Sequence, residues 1–378
     1  MYERVELFCA PDRLCEEITK GKSNKFSEMT PFQRAFLCGL IKERRPEKVL
    51  EIGVSAGGTT ALILTCLNMI NINAKMYSVD ISECWYRSGI QETGFVAKEF
   101  LGELINNTKH SFLLGQSIPY RIEEIGNGID FLILDTTHSM PGEFLDFLIC
   151  LPYLKNGATV VLHDVVENHM TGWNNEIATK LLFDIVGGKW YQKEDSLELF
   201  GFSNIGAFEV TAEIKKRVNS LFSALTFSWE YMPEDDDIEQ YKKIICKHYL
   251  KEYVMWFENI INLQKYNFLK KKINGHYGLS HEWLKMKWEK QKNVFLYGAG
   301  QWARIYSEYA KINHLPIRGW VISDEQKMVN ENEYSIPVYR LGEILLDPNE
   351  CVFVLALDRK NFGIVKKNLM KKGYYMVL

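Results

Sequence analysis

Short apolar runs separated by helical patterns recur through the first half of the chain. Residues 47–52 run into Gly53, Ala74 to Ile81 carries Asp80 near its end, and residues 110–117 finish on Gln116 and Ser117. Ile129 to Asp135, Ala158 to Asp164, and Asn204 to Phe208 add three further runs. Apolar segments alternating with helical ones predict a mostly parallel α/β sheet. Successive strands of this set end on polar residues, and the C-terminal strand ends are where open α/β sheets hold their ligands.

The turn after the first strand has the spacing Glu51-x-Gly53-x-x-x-Gly57. It lacks the Gly-x-Gly-x-x-Gly rhythm suited to a dinucleotide pyrophosphate. Gly53 lets the chain turn where a Cβ would clash, Gly57 and Gly58 allow a ligand to approach closely, and the next helix offers free N–H groups. A plain strand-turn-helix without a ligand would also tolerate these glycines. Asp80, at the tip of the second strand, suits a ribose diol because a carboxylate can accept from both hydroxyls.

With Asp135-Thr136-Thr137-His138-Ser139, Leu154-Lys155-Asn156-Gly157 and His163-Asp164, the pattern over residues 30 to about 210 resembles the class I S-adenosylmethionine-dependent methyltransferases. It looks most like methyltransferase family 24, which is similar to sugar O-methyltransferases and to proteins labelled cephalosporin hydroxylases. The resemblance implies that Glu51, Gly53 and Asp135 face the methionine part of the cofactor. Asp80 would take the ribose and Gln116 and Ser117 the adenine, with Ser55, Gly57 and Ile81 completing the seat. It further implies Mg²⁺ on Asp135 and Asp164, and catalytic roles for Asp164 and for His138 or His163 as the proton acceptor, since an imidazole titrates near neutral pH. The family reads roughly Asp-Gly-Asp-His-Ser where this chain has Thr136 and Thr137. That loss of an acid keeps open a non-catalytic scaffold that retains the cofactor seat. A hydroxylase lacks support, because no His-x-Asp with a distant His on a β-rich scaffold is present.

Past residue 210 the composition shifts to aromatics and lysines. Ile238, Tyr241, Ile245, Tyr249, Tyr253, Trp256 and Ile260 recur at steps of three or four, predicting one helix face behind the acidic run Glu234–Asp237. Asn293-Val-Phe-Leu-Tyr297-Gly298-Ala299-Gly300 then repeats the strand-turn-helix order, followed by short apolar runs at Ile317–Ser323, Val338, Cys351–Leu357 and Tyr374–Leu378. Helical patterns are expected at Leu341–Leu346 and Asn361–Lys372. This part resembles the small Rossmann-like domain at the N-terminus of PglD-type sugar acetyltransferases, which implies a sugar nucleotide at Gly298 and Gly300 or a docking role.

The 378 residues favour two or three domains, and 47% hydrophobic content supports substantial cores. A formal charge of −3 argues against nucleic acid as partner. Eight cysteines without a Cys-x-x-Cys pair read as free thiols of a reducing cytosol. Met1–Glu17 carries no signal-peptide core, and the apolar run around Ala61–Ile70 is too short to span a bilayer. The expectation is therefore a cytoplasmic protein of α/β class without a membrane span. Residues 1–29 form an N-terminal extension, 30–210 a Rossmann-like methyltransferase sheet, 211–290 a helical connector and 291–378 a second small Rossmann-like domain. O-methylation of a sugar or nucleotide-linked glycan intermediate in polysaccharide biosynthesis is the function expected, with a homo-oligomer as a candidate assembly.

Overall fold

A computed structural model of the chain describes residues 4–20, 27–104, 109–169, 172, 175–186, 189–192, 194, 201–278, 280–326 and 335–378. The chain divides into two compact units, Met1–Ile260 and Ile261–Leu378. Among the described residues, no helix is long and apolar enough to cross a membrane.

In the first unit α1 (Ala10–Thr19) and α2 (Pro31–Arg44) precede β1 (Lys48–Ile52), α3 (Gly58–Met69), β2 (Lys75–Asp80), α4 (Phe95–Leu104), β3 (Lys109–Leu114), α5 (Ile118–Ile125) and β4 (Ile129–Leu134). There follow α6 (Gly142–Cys150), β5 (Leu154–His163), α7 (Ala178–Ile185), β6 (Lys189–Trp190), β7 (Ile205–Glu209), α8 (Ala212–Lys216), α9 (Val218–Ala224), α10 (Asp235–His248) and α11 (Lys251–Tyr277), whose residues from Ile261 onward belong to the second unit. The strands form one sheet in the order β3-β2-β1-β4-β5-β7-β6. Pairs from β3 to β5 are parallel, and β7 runs antiparallel to both β5 and β6. The apolar runs of β4 and β5 are buried throughout Phe131–Leu134 and Val160–Leu162, as expected of parallel strands covered on both faces. The run expected at Asn204–Phe208 is the antiparallel β7, and β6 was not foreshadowed by any pattern.

The face expected to be one helix from Ile238 to Ile260 is two. α10 stops at His248 because Tyr249 leaves helical geometry (φ −115°, ψ 159°). Its hydroxyl donates to the Leu148 carbonyl at 2.6 Å and its ring packs edge-on against Phe222, so tertiary anchoring overrides the periodicity.

The second unit holds α12 (His281–Trp288), β8 (Asn293–Tyr297), α13 (Gln301–Ile312), β9 (Gly319–Ile322), β10 (Val338–Arg340), β11 (Cys351–Leu355), α14 (Phe362–Lys371) and β12 (Met376–Val377). Its all-parallel sheet has the order β10-β9-β8-β11-β12. Alternate residues of β8 enter different cores: Val294 and Leu296 pack with Tyr306 and Trp320, whereas Phe295 and Tyr297 pack with Phe353 and Leu369. Only a single 3₁₀ turn, Leu341–Glu343, forms where a helical pattern is expected at Leu341–Leu346, fixed by the Glu343 carboxylate accepting from the Arg340 N–H at 2.8 Å.

In the first unit the strand order reverses between β1 and β4, and there the two tips press together. Gly53 has φ +93°, and a Cβ on it would lie 1.8 Å from the Asp135 carbonyl oxygen. Gly53→Ala should therefore cost about 2–4 kcal/mol. A urea denaturation midpoint lowered by that free energy divided by the slope, with the slope itself unchanged, is the expected outcome.

Candidate active site

The first glycine turn is held from both sides. The Asp80 carboxylate accepts from the Val54 and Ser55 N–H groups through Oδ2 (2.9 and 3.1 Å) and from the Ser82 N–H through Oδ1 (2.9 Å). A carboxylate has about four lone-pair sites, so Asp80 retains capacity for about one more donor rather than for both ribose hydroxyls. Ser55 adopts φ +51°, and its Oγ accepts from the Trp85 indole N–H at 3.2 Å. The close approach expected at Gly57 is made by the protein itself: a Cβ there would lie 2.7 Å from the Cα of Gly94. Glu51 does not open onto the crevice. It is fully buried, and its Oε2 accepts from Thr60 and Ser78 hydroxyls, each at 2.6 Å. Burial first, then Asp135 and Asp80, push its carboxyl up to about 8 against the pull of the two hydroxyls. Ile81, just past β2, is 66% exposed and so offers an apolar face beside the turn.

At the β4 and β5 tips four of the expected residues meet. His138 Nε2 lies 3.1 Å from Asp164 Oδ2 and 3.8 Å from Asp135 Oδ1, while Nδ1 lies 3.4 Å from Glu143 Oε1. His163 Nδ1 lies 3.3 Å from Asp135 and 3.2 Å from Asp164. His138 and Asp164 both have positive φ, 56° and 59°. The backbone at these loops is thus held where non-glycine residues rarely sit, a feature that clusters at functional sites. Asp135, His138 and Asp164 each bring one nitrogen or oxygen atom within 4.8 Å of the others, and the two carboxylate oxygens are the kind of donor a divalent cation takes.

The electrostatics change the roles expected of the histidines. Burial opposes a charge on His138, but Glu143, Asp164 and Asp135 outweigh it and raise its pKa to about 10. His163 is raised well above its usual value against the same opposition, by Asp164 and Asp135. The reason is visible in the bonding. Gln33 donates through Nε2 to Glu194 (3.2 Å), and its Oε1 accepts from the Thr30 N–H (3.0 Å), so the same oxygen can only accept from His163 Nε2 at 3.1 Å. With Nδ1 facing two carboxylates, both ring nitrogens donate. In this arrangement both imidazoles are held toward the charged form, whereas the histidine base expected from the sequence needs a neutral ring. Asp164 is lowered to about 2 despite its burial, by His163 and then His138.

Several residues of the site are not among those the sequence singles out. Glu143 accepts from the His138 backbone N–H (2.8 Å) and the Thr136 hydroxyl (3.0 Å), which shapes the Asp135–His138 turn. Its clue was Glu143 and Asp146 standing three apart in an otherwise apolar helix. Gln33 and Thr30 form a capping box, legible as Thr-Pro-Phe-Gln. Asn204 donates to Asp164. Residues 227–241 also reach the site: the Tyr231 hydroxyl lies 3.5 Å from Thr137 Oγ1, Tyr241 donates to Asp146 (3.3 Å), and Ser117 donates to Asp237 (2.7 Å). Gln116 is exposed beside Ser117.

The second unit's glycines separate in role. A Cβ on Gly298 would lie 2.0 Å from the Ala356 carbonyl oxygen, whereas Gly300 faces open space at the start of α13. Asp324, past β9, already accepts from the Gly342 N–H and from Lys372, each at 2.7 Å.

The family model Methyltransf_24, described as a methyltransferase domain, matches residues 50–165. Residues 50–165 are a methyltransferase domain. No curated protein matches the sequence. Among solved structures, the chain is similar to the O-methyltransferase TomG from Streptomyces achromogenes, in complex with S-adenosylmethionine, at 16% identity over 55% of this chain and 92% of that one, TM-score 0.38. It is also similar to the S-adenosylhomocysteine-bound methyltransferase PaMTH1 from Podospora anserina (9%, 55% and 90%, TM-score 0.39) and to an O-methyltransferase from Bacillus cereus in complex with S-adenosylhomocysteine (14%, 53% and 97%, TM-score 0.36). The matched residues run from within β1 to just past the tip of β5, and Gln33, Glu194, Asn204 and Asp237 lie outside them.

Within the methyltransferase domain, Glu51 makes stability depend on pH. Its folded pKa of about 8 exceeds the ordinary value of about 4.3, so the folded state binds the extra proton and stability falls as pH rises between those values. Glu51→Gln, which mimics the protonated acid, should flatten that decline. Urea midpoints of both proteins at pH 5, 6.5 and 8 check it, and parallel declines would contradict the assignment.

Proposed function

We propose that the first unit is an S-adenosylmethionine-dependent O-methyltransferase acting on a hydroxyl of a small molecule, with a sugar or nucleotide-linked glycan intermediate as the acceptor class. The carrying observation is the placement of the Asp135–His138–Asp164 cluster at the tips of β4 and β5, the two strands next in order to the β1 glycine turn of the methyltransferase domain. The adenosyl group would lie along the β1, β2 and β3 tips, with Asp80 on a ribose hydroxyl and Ile81, Gln116 and Ser117 beside the base. Ser55 and Gly57 shape the seat, and Glu51 supports it from beneath. The methyl group would then face the crevice between β4 and β5.

Mg²⁺ fits Asp135 and Asp164, with His138 in reach, and when bound would orient the acceptor hydroxyl and lower its pKa. The positively charged imidazoles of His138 and His163 hold the two carboxylates in place. With both imidazoles charged and both carboxylates assigned to the metal, the acceptor proton would leave to solvent once the bound cation has lowered the hydroxyl pKa. Thr137, in the position where related sequences have an acid, favours one other reading, a scaffold that binds the cofactor without turnover. For the second unit the open Gly300 favours a sugar nucleotide at Gly298 and Gly300, which thermal-shift screening of the full chain would detect.

Two outcomes are expected. S-adenosylhomocysteine should bind in calorimetric titration, and Asp80→Ala should weaken it about tenfold or more, through lost contacts and a loosened turn. Mn²⁺, as a paramagnetic substitute for Mg²⁺, should bind wild-type protein in electron spin resonance titrations and be released by Asp164→Asn. Wild-type protein that binds no Mn²⁺ would remove the metal from this reading.

A further inference from the structure

We propose that Asp237 is a specificity-determining residue that makes the cofactor seat select a 6-amino purine, acting through Ser117. This rests on the reading of the first unit as an adenosyl-cofactor enzyme. In the strand order β3 lies beyond β2 as seen from β1, so a nucleoside with its ribose at the β2 tip extends its base toward the β3 tip, where Ser117 stands. Ser117 is the N-cap residue of α5, yet its side chain makes no capping bond. Its hydroxyl donates instead to Asp237 Oδ1 at 2.7 Å, across 120 residues of sequence.

A serine hydroxyl has one proton. With that proton committed to the carboxylate, Ser117 Oγ faces any third partner as an acceptor only. The exocyclic 6-amino group of adenine is a donor and can satisfy it, while the 6-oxo group of hypoxanthine is an acceptor and opposes it. A donor–acceptor mismatch of this kind discriminates more strongly than a difference in shape.

Asp237 is not a side chain swinging free on a surface helix. The lead-in to α10 is tied by the Glu230 N–H donating to the Met140 carbonyl at 2.9 Å. Tyr241 donates to Asp146 and Lys247 pairs with Glu123, fixing α10 to α6 and α5. The matched methyltransferase domain ends at residue 165, so this control of the base comes from a later segment of the chain.

The test uses the full-length protein and calorimetric titration with S-adenosyl-L-homocysteine and S-inosyl-L-homocysteine. Wild type should prefer the adenosyl compound by roughly tenfold or more. Asp237→Ala, which frees the serine proton to turn toward the base, should cut that preference to about threefold or less, chiefly by improving inosyl binding. Ser117→Ala should also weaken the preference, and adding Asp237→Ala to it should change nothing more. Thermal melting identifies any variant that has failed to fold, and the Ser117 variants then carry the comparison. Adenosyl binding with the preference intact in Asp237→Ala, or a further effect of Asp237→Ala in the Ser117→Ala background, would overturn this inference alone. Wild-type protein that binds neither compound would overturn the cofactor reading and the inference with it.

Discussion

The site depends on one close crossing, the contact of the β1 and β4 tips at Gly53 and Asp135. The Gly53 N–H donates to the Val79 carbonyl and the Asp135 N–H to the Ile52 carbonyl, both at 3.0 Å, so three strand ends are stitched together at the switch point. No side chain fits between them, since a Cβ at Gly53 would overlap the Asp135 carbonyl oxygen. Everything further out is positioned by that contact. The turn at Ser55 and the loop containing His138 both leave the sheet there, and Asp164 leaves from the next strand. Ser55, His138 and Asp164 each take a left-handed backbone conformation, and each is held by neighbours: Asp80 and Trp85 for Ser55, Glu143 for His138, Asn204 for Asp164. Strain of this sort persists only where surrounding bonds fix it.

The second constraint is electrostatic. Asp135, Glu143, Asp164 and Glu167 gather around His138, with His163 on the far side of Asp135 and Asp164. Acids packed this closely repel one another, and where burial adds to the repulsion the carboxyl becomes hard to ionise: Glu167 is pushed up to about 8 by burial and then by Asp164, and Asp146 to about 7 by burial and then by Glu143. The two imidazolium groups relieve part of this charge. The same packing holds both rings toward their charged form.

Much of the architecture was legible in the chain because parallel strands buried on both faces leave continuous apolar runs, as in β4 and the later part of β5. Polar residues at their ends marked the crevice: Asp135, His138, His163 and Asp164 meet at the β4 and β5 tips, and Asp80 holds the glycine turn beside β2. Glu51 was misjudged because its position beside the glycine turn says nothing about which way a strand residue points. The charge on the histidines was not legible, because it depends on how closely Glu143, Asp164 and Asp135 pack around the two rings, and Glu143 sits inside an apolar helix. The break at Tyr249 and the reach of residues 227–241 into the site were hidden for the same reason: helical periodicity records which face is buried, not what that face is buried against.

The central claim is that an adenosyl cofactor lies across the β1, β2 and β3 tips with its reactive end toward Asp135 and Asp164. A crystal structure of the full-length protein with S-adenosylhomocysteine tests it most directly. The account predicts a ribose hydroxyl on the free lone pair of Asp80 Oδ1, the base beside Ile81 and Ser117, and the sulfur facing the Asp135–Asp164 crevice. A ligand bound elsewhere, or seated with its ribose away from Asp80, would contradict it.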